Sequence, residues 1–198
     1  MATLREYFIE LQKREGLEPV ELIAGWSPEL IERSLVLIKN AVQSSALIGS
    51  IISNFMGTNQ SKGNKAAEHF FELVKANISL PHQMSSARGA GYPDKLLTIE
   101  NETYCFELKA TSNWIDTDSN RRVLTSSSRK LRSLISNGSI PSPPRHLIGT
   151  VFYEDATAIV TRVRLDYLEP ETEVNIRLEA STSQKLLSNG TQRTEFID

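Results

Sequence analysis

Apolar residues recur every three to four positions over three stretches in the first part of the chain, which predicts three amphipathic helices. Thr3 and Glu6 form a capping box that opens the first, with Leu4, Phe8 and Leu11 on one stripe and Gly16 beyond its end. Ser27-Pro28-Glu29 writes the start of the second: a cap, a proline in the first turn, then an acid. Leu30, Ile31, Leu35, Ile38 and Val42 keep its period, and the apolar run continues to about Ile52. That is more apolar length than a small sheet needs, so it suits either core packing or a subunit contact. Residues 57–63 make a polar break. Ala66, Ala67, Phe70, Phe71 and Val74 then mark the third helix, with Glu68 expected within a turn or two of its start.

Beyond Pro81 the period changes. Residues 82–92 are rich in Ser, Gly and Ala and read as a loop. Residues 95–100 and 103–110 read as two strands joined by a tight turn around Asn101 and Glu102. Residues 126–136 read as a helix, stopped by Asn137-Gly138 and the prolines at 141, 143 and 144. Strands follow over residues 146–153 and 158–165. This order predicts an α/β chain with a mixed central β-sheet flanked by helices. At 198 residues it suits one domain, 1–198, with a helical N-terminal part (1–58), a core (59–165) and a C-terminal extension (166–198).

Composition narrows the classes. Hydrophobic residues at 39% and charged residues at 23% allow a packed core and argue against a disordered tail. The charged N-terminus and the absence of a long apolar run lead us to expect a cytoplasmic protein without a membrane span. A single cysteine, Cys105, excludes an internal disulfide and a thiolate-rich zinc site, and His69, His82 and His146 are scattered. No Gly-x-Ser-x-Gly elbow occurs, and the glycines at 57 and 63 are spaced one residue too far apart for a phosphate loop. Asp116, Asp118 and Asn120 imitate a calcium loop, but Arg121 stands where its sharp turn needs glycine.

The net charge of -2 hides a gradient: residues 107–146 hold seven basic side chains against three acidic ones. Such a stretch, dotted with Ser, Thr and Asn, suits either a phosphate backbone or a solvated face.

The informative spacing is Pro93-Asp94, twelve residues, then Glu107-Leu108-Lys109; Pro-Asp and acid-x-Lys each occur once in the chain. Alternation in a strand puts Glu107 and Lys109 on one face and Phe106 and Leu108 on the other. If the preceding strand pairs antiparallel, Asp94 comes level with the carboxylate end of the next. Two carboxylates and the Leu108 carbonyl would then offer hard oxygen ligands to Mg2+, with the Lys109 ammonium beside them.

This arrangement resembles the PD-(D/E)XK nuclease superfamily, with Pro93, Asp94, Glu107 and Lys109 at its four motif positions. The short, single-domain chain looks within it like a type II restriction endonuclease. The resemblance implies a restriction-endonuclease-like core, Mg2+-dependent cleavage of double-stranded DNA, and catalytic roles for Asp94, Glu107 and Lys109. It also implies a further acid on a preceding helix, matched here by Glu68 after the polar stretch at Asn59, Gln60, Gly63 and Asn64.

Residues 111–132 follow the expected metal strand and are candidates for reading DNA. Asn113, Arg121 and Arg122 suit bases or phosphates, and Ser126, Ser127 and Lys130, at a helix start, suit phosphates. Ser86 and Arg88, before Asp94, form a second candidate group. Cutting both strands at a symmetric site needs two centres, which implies a homodimer. Two alternatives stand beside this expectation: a structure-selective repair or recombination nuclease of the same fold, and a non-catalytic DNA-binding module.

Overall fold

The computed structural model describes residues 2–89, 91–113, 127–174 and 193–198. Helix α1 (Leu4–Arg14) opens on the expected capping box: Thr3 Oγ1 accepts from Glu6 N at 3.2 Å, and the Glu6 carboxylate accepts from Thr3 N at 2.7 Å. Helix α2 (Pro28–Ser44) starts at Ser27, whose hydroxyl accepts from Leu30 N at 3.3 Å.

Helix α2 ends at Ser44 and does not run to Ile52. Left-handed backbone at Ala46 (φ 49°) and Gly49 (φ 85°) turns the chain. The segment then lies along a strand, with Gly49 N donating to Val160 O at 2.8 Å and Ile52 N to Ala158 O at 2.9 Å. Ile31, Ile38, Ala41, Val42, Leu47 and Ile52 are all buried in the core. Most of the surplus apolar length is thus spent on core packing, while Val36 and Ile51 stay exposed.

Helix α3 (Asn59–Ala76) begins inside the expected polar break, because Thr58 Oγ1 accepts from Ser61 N at 3.2 Å and caps it there. Glu68 therefore lies in the third turn. Strand β2 (Gln83–Ser86) occupies part of the expected loop; only Met84 is buried in it, too short a pattern to betray a strand. Strands β3 (Lys95–Ile99) and β4 (Glu102–Thr111) form the expected hairpin, turning at Glu100 and Asn101, one residue earlier than expected. Glu100 takes the left-handed conformation the turn requires (φ 56°).

Helix α4 (Arg129–Ser136), β5 (His146–Glu154) and β6 (Ile159–Leu168) complete the middle of the chain. Strand β8 (Arg193–Ile197) closes the sheet, while β1 (Ala2–Thr3) and β7 (Glu173–Val174) make a small separate pair. The six-stranded sheet runs β2-β3-β4-β5-β6-β8, with β4 and β5 parallel and every other pair antiparallel. Strand β6 crosses the boundary expected at residue 165, and β8 forms the sheet edge, so both belong to the core.

Two apolar layers sandwich the sheet. On one face, residues of α2 and α3 join Leu97, Tyr104, Phe106 and Val151, with Phe70 edge-on to Phe106 at 6.3 Å. On the other, Leu4 and Phe8 of α1 and Leu131 of α4 join Tyr92, Cys105 and Ile148. Gly149, opposite Leu108 in register, gives this packing its room: a Cβ there would lie 2.9 Å from the Phe106 ring and 3.1 Å from Leu108. The position of β4 depends on it. Among the described residues no helix is long and apolar enough to cross a membrane.

Beneath the second layer lies a buried polar pair. The Leu22 carbonyl, 2.7 Å from His146 Nε2, can only accept, so Nε2 carries the proton and Nδ1 accepts from Tyr92 Oη at 2.7 Å. Burial pushes the His146 pKa down from 6.5 to about 4. The unfolded chain therefore takes up a proton that the folded one refuses. Stability from this residue is complete above pH 6.5 and is lost as the pH falls toward 4. In denaturant titrations, we expect wild type to lose about 2 kcal/mol more than His146→Gln between about pH 7 and about pH 5. Glutamine can make both hydrogen bonds without titrating, and parallel losses would refute this assignment.

Candidate active site

Strand β4 carries the motif. Its pairing sets Lys95 opposite Phe106, so one step further Asp94 falls opposite Glu107 at the open end of the hairpin. The Asp94 amide donates to Glu107 Oε2 at 3.1 Å, and Lys109 Nζ lies 2.7 Å from Glu107 Oε1. Asp94 is exposed, whereas Glu107 is only 5% exposed. Burial pushes the Glu107 carboxyl above the usual carboxylate range; the Lys109 ammonium draws it back, and the neighbouring Asp94 charge adds to the rise. The structure thus brings Asp94, Glu107 and Lys109 together.

The Leu108 carbonyl joins them by strand geometry. The Cys105 amide donates toward β5, to Arg145 O at 2.9 Å. Peptide groups alternate along a strand, so that of Leu108 faces the opposite way, toward the space past the end of β3 where Asp94 lies. Two carboxylates and a carbonyl in that neighbourhood would offer hard oxygen donors of the kind Mg2+ takes, with its remaining positions left to water or phosphate. Among the described residues no group of three or more His, Cys, Asp or Glu side chains converges as a metal cage.

Glu68 is placed elsewhere. Its carboxylate lies 3.4 Å from Lys95 Nζ, which sits 3.6 Å above the Phe71 ring on the α3 face of the sheet. Glu107 and Lys109 point to the other face, that of α1 and α4. Glu68, matched to the further acid, is therefore not brought beside Glu107 and Lys109, because consecutive residues 94 and 95 project to opposite sides.

The helix start at Ser127 and Ser128 is also taken. Glu15, just past α1, accepts from the Ser128 amide at 3.0 Å and from its hydroxyl at 2.5 Å. Burial opposes ionisation of Glu15, but bonds from Ser128 and Ser127 hold its carboxyl below the usual range. A carboxylate of the chain itself thus sits at the α4 N-terminus, beside Ser127, where a phosphate contact was expected.

Lys130 differs from expectation too: its Nζ donates to Gly89 O at 2.9 Å, Gly91 O at 2.7 Å and Pro93 O at 2.7 Å. Arg132 binds Gln12 Oε1 and Glu18 O, and Arg145 binds Gly25 O. Much of the basic stretch is therefore spent on internal bonds. Ser86 accepts from Lys95 Nζ at 3.2 Å. Arg88 and Asn113 are exposed, and Asn113 turns back on the end of β4, its amide donating to Thr111 Oγ1 at 3.1 Å and its carbonyl accepting from that hydroxyl at 2.9 Å. Arg121, Arg122 and Ser126 lie outside the described residues.

Sequence reasoning missed a polar band on the motif's face. Register aligns Glu107 with Ile148, Asp166 and Thr194, and Lys109 with Thr150 and Arg164. Buried Asp166 accepts from Arg164 and from Thr194 Oγ1 at 2.6 Å. Polar residues at alternate positions of β6 were the available signal. No protein-family model, curated protein or solved structure matches the chain.

Proposed function

We propose that this protein is a Mg2+-dependent endonuclease hydrolysing phosphodiester bonds in double-stranded DNA, of the type II restriction class. The observation that carries the proposal is the seating of Asp94 and the buried Glu107 side by side at the open hairpin end, with Lys109 on Glu107. A mixed sheet flanked by helices, with the Pro-Asp and Glu-x-Lys segments on adjacent antiparallel strands, supports a restriction-endonuclease-like core.

Asp94, Glu107 and the Leu108 carbonyl would hold the ion, which when bound supplies charge for the scissile phosphate and lowers the pKa of a coordinated water. Glu107 is kept in position by the Asp94 amide and by its burial. Lys109, a quarter exposed, is the proton-bearing group that can orient the attacking water or meet charge growing on the phosphate. A symmetric duplex site would be served by a homodimer.

Incubating the purified protein with phage DNA and Mg2+, then sequencing the ends, tests this. We expect discrete fragments whose ends share one short sequence. Cutting confined to forks, flaps or junctions would assign a structure-selective nuclease instead. Salt-sensitive binding without cutting would assign a DNA-binding module.

A further inference from the structure

Resting on the nuclease function proposed above, we infer that Lys130 is the positioning residue that sets Asp94 for metal binding. An ammonium has three protons, and Lys130 directs its donors to three carbonyls, those of Gly89, Gly91 and Pro93. Its bonding capacity is filled, so it has no proton left for a DNA phosphate. All three acceptors belong to the short segment that delivers Asp94, and the last precedes Asp94 directly.

That segment is otherwise tied at Ala87, Tyr92 and Asp94. Gly89 and Gly91 both have φ of 87°, a conformation glycine adopts without strain and without side-chain anchors. Ala87 N donates to Asp94 O at 2.9 Å, closing the segment into a loop, and buried Tyr92 pins its middle to His146. Between these ties the three carbonyls converge on one point, where their dipoles would repel one another without a cation. Lys130 supplies that cation from α4, so helix and loop move together.

The Asp94 carboxylate is exposed and makes no side-chain bond among the described residues, so its aim depends on the backbone that carries it. Lys130 therefore acts through Asp94 and has no contact with substrate of its own. Removing a group that orients a metal ligand typically weakens the metal ten- to hundredfold.

Mn2+ affinity, measured by electron paramagnetic resonance or calorimetry, tests this with Lys130→Met, close in size but neutral. We expect Mn2+ binding about tenfold or more weaker, with cleavage restored to within a few-fold of wild type at saturating metal. Asp94→Asn should show no such restoration. Lys130→Arg keeps the charge but cannot point three protons at converging carbonyls, so it should fall between; it serves also should the methionine variant fail to fold. Wild-type Mn2+ affinity in folded Lys130→Met or Lys130→Arg would overturn the positioning role. A loss of cleavage at unchanged affinity would overturn it as well, pointing to direct substrate contact. Failure of the wild type itself to bind Mn2+ would instead overturn the nuclease proposal.

Discussion

Asp94→Ala should lower Mg2+-dependent cleavage about a thousandfold while leaving the melting temperature within a degree or two of wild type. The two halves of this expectation have separate causes. Asp94 is exposed, and only its backbone is tied down: its amide bonds Glu107 and its carbonyl accepts from Ala87. Alanine keeps both bonds, and surface changes of this kind typically stay within about 0.5 kcal/mol. A carboxylate that holds the catalytic ion is worth several kcal/mol at the transition state, and each ~1.4 kcal/mol is about tenfold in rate. Paired measurements of cleavage and thermal melting check both. Full activity in the variant would reject the site.

Glu107→Gln should also abolish cleavage, but with stability at neutral pH unchanged or raised. Here the carboxylate is buried, and burial lifts its pKa above that of the unfolded chain. A group shifted in this direction favours the fold at low pH, and that contribution is lost as the pH rises through its folded pKa. At neutral pH the charge is a burden that Lys109 only partly offsets; removing one partner of a fully buried ion pair is destabilising because the other charge is stranded, but Lys109 is a quarter exposed and is not stranded. Glutamine can still accept from the Asp94 amide, and Lys109 can turn to solvent. A structural ion pair would behave oppositely, with Glu107→Gln melting lower by several degrees. Melting curves and cleavage assays on one preparation separate a site kept for chemistry from a pair kept for stability.

The hairpin and its motif were legible because alternation in a strand is a short-range rule. Knowing that residues 103–110 form a strand suffices to put Glu107 and Lys109 on one face. The caps at Thr3 and Ser27 were legible for the same reason, each side chain bonding a backbone group three residues on. The end of α2 was not, since residues 45–52 are apolar enough to prolong a helix and leave it only to bond β6. Strand β8 escaped notice because a sheet edge needs a partner distant in sequence more than a pattern of its own.

Among site residues, the misplacements share a cause. Lys130 and Ser127 have the composition of phosphate ligands, but composition does not say whether a carbonyl or carboxylate of the same chain arrives first. The three carbonyls around Lys130 come from a segment about 40 residues earlier, and Glu15 comes from over a hundred residues before Ser128. Glu68 was misplaced by a single residue of alternation: Lys95 faces α3 and takes its carboxylate, while Asp94 serves the other side.

Diffraction from crystals soaked in Mn2+, collected at an energy where manganese scatters anomalously, tests the central claim most directly. The account predicts one strong peak within coordination distance of both the Asp94 and Glu107 carboxylates. No peak there, with Glu107 still held by Lys109 and the Asp94 amide, would contradict it.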